Sequence, residues 1–578
     1  MADTDKVHNV IIIGAGVGGL TAAIKMQVDM GLYDYTIYER ASELGGTWWQ
    51  NDYPGCACDI PIHWYSLSID PNPNWSCLFA SRREIYEYWK HLARKHNIES
   101  RIKYNTEFLS AEWNEKKQYY TIKLEDSRTK ERREIKAKLV ISAIGVFVNP
   151  LWPDIPGRES FQGKILHAQM WDHSVKLEGK RVGLIGSGCA GSQILPPISE
   201  NSSTSVVNFC RTPNWYIPRP QARVPPVIQW IFAHVPFVLK SLRYTLAASC
   251  ELLYHHYQGN FISVAARKVV EKLMLRRMRS ITPAKYHKQL TPNYPFGCKR
   301  VVFDPGYFEA LNRPNVELES DPITKITPTG IETKSGKEHK LDVIAFATGF
   351  DIAGSMTLDV TGINGQTLRD YYEKENGPTG YMGTTIPGFP NWITIFGPNS
   401  ATGHSSVIYM EEIQMNYAMQ LFKPVLEGKI SSVVPRADST QKFNQWLQYS
   451  LKDHVWPSCH SWYRKGLDGK ISSLWPGGNI HIWWSFRKPN WKDYEVVGAK
   501  NWIRKQRIYE VVTSLLQLVL LTAGAGALAL VKTGQWDYFV AAHGGSFKHL
   551  IESLRAQLLI YAMSTPTEYQ FQARIDRL

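Results

Sequence analysis

Two short apolar runs along the chain each end in a glycine-rich turn and are followed by a helix-like stretch. The first run leads into GAGVGGL after residue 13, and the second leads into GSGCAGSQ after residue 185. Short apolar runs bounded by glycine are typical of buried strands, and the mixed stretches that follow them predict helices. The chain is therefore predicted to contain two strand-turn-helix units of the kind that begin a Rossmann fold.

Both turns space their glycines in the pattern GxGxxG, at Gly14, Gly16 and Gly19 and at Gly186, Gly188 and Gly191. The first glycine of each set permits the tight turn, the second lets the backbone approach a pyrophosphate, and the third lets the helix pack on the strand. One such pattern alone is weak evidence, but here each follows an apolar run and precedes a helical stretch. We therefore expect two dinucleotide-binding sites.

The residue that closes the next strand differs between the two units. Glu39 stands twenty residues after Gly19, where a carboxylate can accept both hydroxyls of an unphosphorylated ribose, as in FAD. Arg211 and Thr212 stand at the corresponding place in the second unit, where a guanidinium and a hydroxyl suit a 2′-phosphate. The alternative for Arg211 is a solvated surface charge. The pattern predicts FAD in the first site and NADPH in the second.

Length and composition limit the other functions. The 578 residues are enough for two or three domains, and the net charge of +14 is spread along the chain without a nucleic-acid-binding motif. The eight cysteines form neither a CxxC pair nor a spacing suited to zinc, so we expect no metal site and reduced cytosolic thiols. A disulfide reductase needs a redox CxxC, and because this chain has only Cys56-Ala57-Cys58, that class of flavoprotein is excluded.

The two ends of the chain give expectations about where in the cell the protein lies. The polar start runs directly into a strand, so we expect no secretory signal and cytosolic catalytic domains. The run Val511–Val531 carries no charge and would form about 31 Å of helix, enough to cross a hydrocarbon core of about 30 Å. Because basic residues precede the run, it predicts a single-pass membrane protein with its catalytic domains in the cytosol. The alternative is a cytoplasmic protein in which the run is a buried helix on the FAD domain.

Two segments match sequence fingerprints at every fixed position. The segment FQGKILHAQMWD at 161–172 fits FxGxxxHxxxW(P/D) at Phe161, Gly163, His167, Trp171 and Asp172. The segment LGGTWWQNDYPGCACD at 44–59 fits (A/G)GxWxxxx(F/Y)PGxxxD at Gly45, Gly46, Trp48, Tyr53, Pro54, Gly55 and Asp59. Over about residues 10–478 the chain thus resembles the type I Baeyer-Villiger monooxygenases. The segment GPNSATGHSS departs from the GPGSP-like turn of many members, which indicates a divergent subgroup similar to fungal or actinobacterial enzymes of secondary metabolism.

The resemblance implies an α/β fold with two Rossmann-like domains, for FAD and NADPH, and an inserted helical subdomain; the C-terminal apolar helix is predicted from the run at 511–531 and has no counterpart in the soluble family. The resemblance also implies that FAD, NADPH and dioxygen serve to insert one oxygen atom beside a ketone carbonyl, giving an ester or lactone. A membrane anchor would suit a poorly soluble, apolar ketone such as a terpenoid or polyketide. Besides the glycines of the two turns and Glu39, the resemblance implies the following cofactor-binding residues: Gly46, Thr47, Trp48, Tyr53, Asp59, His167, Trp171, Arg211, Thr212, Lys299, Thr348 and Gly349.

Two charged residues take the catalytic roles that the resemblance implies. Arg300, in the pair Lys299-Arg300, would stabilise the negative charge that develops during oxygen insertion, and Asp59 would orient and tune it. A carboxylate beside a flavin must be paired, so we expect Asp59 to contact Arg300. Lys299 would point the other way, toward the NADPH 2′-phosphate beside Arg211.

The predicted domains are the first part of the FAD domain at 1–160, the NADPH domain at 161–340 with a helical insert at about 213–295, the second part of the FAD domain with the substrate pocket at 341–500, and the tail at 501–578. Within the insert, Ile228–Tyr257 is expected to pack as ordinary helices, with a membrane-surface role as the alternative. Two other functions stay open: a heteroatom-oxygenating or hydroxylating flavin monooxygenase, and a membrane-anchored NADPH-flavin reductase that does not oxygenate. Trp171 argues against the former, whose members carry Tyr or Phe at that position.

Overall fold

The computed structural model of the protein describes residues 6–464 and 469–498 and single residues between 502 and 533. The strands are β1 Val7–Ile13, β2 Tyr35–Tyr38, β3 Ile102–Lys103, β4 Thr106–Asn114, β5 Tyr119–Asp126, β6 Arg132–Ser142, β7 Lys164–His167, β8 Arg181–Ile185, β9 Ser205–Phe209, β10 Tyr216–Pro218, β11 Val302–Asp304, β12 Val316–Glu319, β13 Ile323–Thr327, β14 Gly330–Thr333, β15 Glu338–Lys340, β16 Val343–Phe346, β17 Val360–Thr361, β18 Trp392–Thr394, β19 Ser432–Pro435 and β20 Tyr494–Val497. The helices are α1 Val17–Met30, α2 Thr47–Gln50, α3 Arg82–Lys95, α4 Cys189–Ile198, α5 Pro226–His234, α6 Val238–Tyr254, α7 Phe261–Ile281, α8 Tyr307–Ala310, α9 Ile352–Met356, α10 Leu368–Lys374, α11 Val407–Leu426, α12 Ala437–Lys452 and α13 Asn479–Phe486.

The first large sheet is built around β1, the strand that leads into the first glycine turn. It has the order β17-β4-β5-β6-β1-β2-β3, and β18 also pairs with β6. β1 is parallel to β2 and to β6, whereas β4, β5 and β6 form an antiparallel meander. Helices α1 and α11 pack against each other, and side chains such as Leu20 and Met415 share one buried cluster with Ile12 of β1. The first glycine turn thus lies at the carboxyl end of a buried parallel strand.

The second sheet consists of five parallel strands in the order β12-β9-β8-β16-β7. The expectation that the chain returns to the FAD domain through residues 341–351 is wrong, because β16 pairs with β7 on one side and β8 on the other, inside this sheet. An apolar run such as VIAF identifies a buried strand but does not say which sheet it joins. The chain rejoins the first sheet only at β17, which pairs with β4.

The predicted insert contains the long helices of this half. Helices α5, α6 and α7 lie between β10 and β11, two short strands that pair with each other in parallel. Because β10 and β11 pair with each other, the chain leaves the second domain and re-enters it at neighbouring positions, with the three helices between them. Arg243 of α6 is buried and donates hydrogen bonds to the backbone oxygens of His63 and Ser66, so the insert also packs on the FAD-binding half.

The cysteines do not all behave as expected. Cys298 and Cys459 form a disulfide across a separation of 161 residues, whereas the other six are free thiols. The expectation of reduced thiols throughout is therefore wrong for this pair. No spacing rule could have revealed it, because the pairing depends on the fold bringing the segment before Arg300 against the segment after α12.

The tail lies largely outside the described residues, and so does most of the proposed membrane helix Val511–Val531. Among the described residues, we find no helix that combines the length and the apolar character needed to cross a bilayer.

Candidate active site

The first glycine turn is shaped by close backbone contacts. Gly14 has a φ of +99°, a region that favours glycine, and a side-chain carbon at Gly19 would lie 2.0 Å from the Gly14 carbonyl oxygen. Glu39 is buried beside this turn, and its two carboxylate oxygens accept hydrogen bonds from the backbone N–H groups of Ala15 at 2.7 Å and Ala41 at 2.8 Å. Burial raises the pKa of Glu39, although these two bonds oppose the shift. Each oxygen retains further acceptor capacity, as binding of a ribose would require.

The 44–59 segment lies directly on this turn. Gly46 has a φ of +53°, and a side-chain carbon there would lie 2.8 Å from the Gly16 Cα, so the two backbones are in contact. Thr47 begins the short helix α2. Trp48 is a core side chain whose indole N–H donates to the Tyr65 hydroxyl at 3.2 Å. The segment is therefore held in place by backbone contact and by core packing.

Tyr53, from the same segment, joins the two nucleotide-binding halves. Its hydroxyl donates to Gln193 Oε1 at 2.9 Å, and Gln193 belongs to α4, the helix that follows the second glycine turn. The Gln193 amide also donates to the Ala57 carbonyl oxygen at 3.0 Å. These bonds position the loop that leads to Asp59 against the second domain.

The second glycine turn repeats the geometry of the first. Gly186 has a φ of +112°, and side-chain carbons at Gly186 and Gly191 would lie 2.5 Å from the Ala347 oxygen and 2.2 Å from the Gly186 oxygen. At Gly188 a side-chain carbon would meet no atom of the described residues within 4 Å. Gly188 caps the N-terminus of α4, where backbone N–H groups and the helix dipole favour an anion. The turn is therefore tight where it packs and open where a pyrophosphate would bind.

Two cations lie together after β9. Arg211 is exposed, and Lys299 is half-buried with its Nζ atom 4.8 Å from the centre of the Tyr294 ring. Burial and then the charge of Arg211 lower the pKa of Lys299. The Thr212 carbonyl oxygen accepts a bond from the Ser187 hydroxyl at 3.5 Å, which ties this strand end to the glycine turn. Two like charges held together favour an anion between them.

Residues of the 161–172 fingerprint and of the segment 347–349 contact the segment around residues 151–152, which connects the first sheet to the second. The Thr348 hydroxyl donates to the Leu151 carbonyl oxygen at 2.6 Å, and the Gly349 oxygen accepts from the Leu151 N–H at 2.9 Å. The His167 ring lies 5.0 Å from that of Trp152, and burial lowers the pKa of His167 to about 4.

Residues 347–349, of which Thr348 and Gly349 are expected to bind a cofactor, contact both nucleotide-binding halves. Ala347 packs on the second glycine turn at Gly186, whereas Thr348 and Gly349 hydrogen-bond to Leu151, which lies in the first predicted part of the FAD domain. Trp171 is half-buried and packs on the core of the second domain. The small residues are needed because two backbones cross here.

Asp59 and Arg300 form the expected ion pair. Arg300 Nη2 lies 2.9 Å from Asp59 Oδ2, Arg300 Nε donates to the same oxygen at 3.1 Å, and Nη1 donates to the Gly403 carbonyl oxygen at 3.1 Å. Burial of the guanidinium lowers the pKa of Arg300, but Asp59, Tyr463 and Cys189 together outweigh burial and raise it. The cation is thus permanent and fixed from two sides.

An apolar cavity with a volume of about 150 Å³ lies beside Arg300. Its apolar wall comes from three parts of the chain: the loop after Asp59, the helical insert and the strands that carry the insert. Representative lining residues are Ile60, Ile217, Leu246, Leu253, Phe296 and Phe303. The cavity can therefore hold a small apolar molecule against a fixed cation.

Sequence analysis missed three residues of this site. The Gly403 oxygen accepts from Arg300, Tyr257 donates its hydroxyl to the same oxygen at 3.2 Å, and His404 lines the cavity. The signal for two of them is the segment GPNSATGHSS, which departs from the family pattern and contains both Gly403 and His404.

Comparison with known proteins agrees with this geometry. Residues 7–360 match the family described as Flavin-binding monooxygenase-like. A Baeyer-Villiger monooxygenase of Pseudomonas aeruginosa is 34% identical over 482 residues, covering 83% of this chain and 88% of that protein. This chain belongs to the Baeyer-Villiger monooxygenases. A Streptomyces coelicolor member is 32% identical, covering 86% of this chain and 96% of that protein.

The shared fold extends across both nucleotide-binding halves of this Baeyer-Villiger monooxygenase. The solved structure of an oxidized steroid monooxygenase bound to NADP superposes with a TM-score of 0.71 at 26% identity, covering 85% of this chain and 99% of that one. The predicted family and the predicted class of enzyme, a flavin-dependent monooxygenase, are therefore confirmed.

Proposed function

We propose that this enzyme uses FAD and NADPH to insert one atom of dioxygen beside the carbonyl of an apolar ketone, giving an ester or a lactone. The ion pair of Arg300 and Asp59 at an apolar cavity carries the proposal. A reaction that develops negative charge on oxygen is stabilised by a permanent, preorganised cation in a site from which water is excluded.

The two glycine turns fit the two cofactors. Glu39 beside the first turn suits the ribose of FAD, and the open helix end at Gly188, with Arg211 and Lys299 nearby, suits the phosphates of NADPH. Bound FAD, reduced by NADPH, supplies the activation of dioxygen. The protein contributes binding, orientation and electrostatics.

Each part of the site has a distinct task. Arg300 provides the charge that stabilises the oxygen anion of the reacting ketone, and Asp59 with the Gly403 carbonyl oxygen holds the guanidinium in one orientation. The apolar walls exclude water and hold the hydrocarbon part of the ketone. An apolar skeleton of the terpenoid or polyketide kind matches these walls.

Labelled oxygen tests the proposed reaction. Purified enzyme is supplied with NADPH, oxygen-18 gas and a panel of cyclic ketones, thioethers and tertiary amines. We expect lactones that carry one labelled oxygen atom, formed in step with NADPH consumption. Labelled sulfoxides or N-oxides without lactones would identify a heteroatom-oxygenating enzyme, and hydrogen peroxide without any oxygenated product would identify a reductase.

We also propose that the tail holds the enzyme at a membrane, with the catalytic domains in the cytosol. Several apolar residues of the tail have helical backbone and side chains that are between 55% and 59% exposed, namely Ile508, Val511, Leu515, Leu518 and Val519. An exposed apolar helix face of this kind is typical of a surface that lipid or a partner protein covers. The exposed basic residues Arg504 and Lys505 precede them, as the positive-inside rule requires for a cytosolic catalytic part.

The catalytic part itself supports contact with a membrane surface. Ordinary helix packing, expected for Ile228–Tyr257, leaves large aromatic side chains uncovered on the helical insert and on α13: Trp230, Phe237, Tyr244, Trp483 and Trp484 are all more than half exposed. Aromatic side chains with an apolar body are enriched at the interface between lipid and water. A ketone dissolved in the bilayer would be concentrated at such a surface.

Truncation after Trp502 is expected to release the enzyme from membranes without loss of flavin. The cofactor-binding residues all precede this point, and the contacts described for them are made by residues that also precede it. The measurement is fractionation of full-length and truncated enzyme with carbonate extraction and a flavin assay of the soluble part. Carbonate release of the full-length enzyme, or aggregation of the truncated one, would contradict the membrane proposal.

A further inference from the structure

His404 lines the cavity beside Arg300, and its two ring nitrogens are unused for hydrogen bonds among the described residues. It lies in the loop before α11, and it is only 3% exposed. A buried polar group without a partner destabilises a fold, so one that faces a cavity calls for a ligand that pairs with it.

The other strong polar groups of the cavity are already engaged. Arg300 is held by Asp59 and by the Gly403 oxygen, and Tyr257 donates to that same oxygen. The Ser249 hydroxyl donates to a backbone oxygen one turn earlier in α6, at 2.9 Å. Arg300 keeps further N–H groups for the oxygen of the ketone, so among the described groups the ring nitrogens of His404 are those left for a second polar group of the substrate.

His404 is neutral when it meets a ligand. Burial, and then the charge of Arg300, lower the pKa of His404 to about 3. A neutral imidazole has one N–H donor and one bare nitrogen acceptor. It therefore recognises a neutral polar group.

We propose that His404 binds a hydroxyl group of the substrate, so that the enzyme acts on apolar ketones that also carry a hydroxyl. A hydroxyl both donates and accepts, and it can pair with whichever ring nitrogen faces the cavity, whereas an ether or a second carbonyl can only accept. The cavity volume of about 150 Å³ is close to that of a cavity that holds benzene, so the recognised part of the substrate is a compact ring. This inference rests on the proposed function and narrows its substrate class.

Pairs of ring ketones test the role of His404. The probes are hydroxycyclohexanones and methylcyclohexanones with the substituent at the same ring position, because the two groups are similar in size. For the wild-type enzyme we expect kcat/KM to be about three- to tenfold higher for the hydroxyl member, the effect of one neutral hydrogen bond. The methoxy analogue should exceed the methyl analogue in kcat/KM by less than the hydroxyl analogue does.

Variants separate a hydrogen bond from a packing effect. His404→Phe is expected to lose the hydroxyl preference and His404→Gln to keep part of it, and because the ratio is taken within each variant, a general loss of activity cancels. His63→Phe is the matched control, since His63 is also buried, with both ring nitrogens unpaired in the described part of the chain, but packs on Phe232 of α5. Its hydroxyl preference should equal that of the wild type.

A binding measurement distinguishes failure of the inference from failure of the proposed function. Titration of the same ketones into the flavin-loaded enzyme, followed by the flavin absorption spectrum, measures Kd without turnover. Equal Kd and kcat/KM for hydroxyl and methyl members in the wild type, or an unchanged preference in His404→Phe, would overturn the inference and assign an ordered water to His404. A hydroxyl preference in Kd without oxygenation of any ketone would support the role of His404 and overturn the proposed reaction instead.

Discussion

Replacing Arg300 with Ala is expected to lower kcat/KM for ketone oxygenation by about a hundred- to a thousandfold, while the enzyme still binds FAD. Loss of a preorganised charge donor costs about 3 to 4 kcal/mol at the transition state. The change also leaves Asp59 as a carboxylate without its cation at the cavity wall. The measurement is steady-state kinetics of product formation, with the flavin content of each preparation determined by absorption.

Two further variants show whether the loss is specific. Arg300→Lys keeps the charge. Its single ammonium group lacks the planar fork with which Arg300 contacts both Asp59 and the Gly403 oxygen, so we expect kcat/KM between those of wild type and Arg300→Ala. Arg277→Ala breaks another ion pair, in which Arg277 lies 2.9 Å from Asp304 with a comparable side-chain exposure of 25% against 22% for Arg300. Arg277→Ala is expected to lower the free energy of unfolding more than it lowers kcat/KM for ketone oxygenation. Activity of Arg300→Ala within about threefold of wild type would contradict the assigned role.

Replacing Arg211 with Ala is expected to raise the Kd for NADPH by about ten- to a hundredfold and to leave the Kd for NADH nearly unchanged. A hydrogen bond to a charged group contributes about 1.5 to 3 kcal/mol, and the 2′-phosphate is the part that NADH lacks. Burial and then the charge of Arg211 lower the pKa of Lys299, so a second cation lies near Arg211 and also favours the 2′-phosphate. The measurement is the Kd of each coenzyme for wild type and variant.

A surface substitution controls for net charge. Arg369→Ala removes one positive charge from an exposed position on α10, and neither coenzyme should bind differently. Equal weakening of NADPH and NADH in Arg211→Ala would show that Arg211 supports the strand end and does not recognise the phosphate. A weaker effect of salt on NADPH binding by Arg211→Ala would agree with loss of a charge contact.

The sequence alone determined those features that depend on a few neighbouring residues. The spacing of glycines after an apolar run dictates a turn that only glycine can form, as the φ of +99° at Gly14 and +112° at Gly186 show. The fingerprints at 44–59 and 161–172 indicated the family, which the relatives confirm. The pairing of Asp59 with Arg300 was predictable because a carboxylate in that place requires a cation, and the resemblance to the family assigned that role to Arg300.

Only the tertiary structure decided what depends on distant segments meeting. The VIAF strand could join either sheet, and its pairing with β7 and β8 was settled by the packing of the second domain. The disulfide of Cys298 and Cys459 spans 161 residues, and the Gly403 oxygen and His404 become part of the site only where the loop before α11 meets Arg300. Local pattern reports the character of a segment, but the partner of each segment follows from the burial of the whole chain.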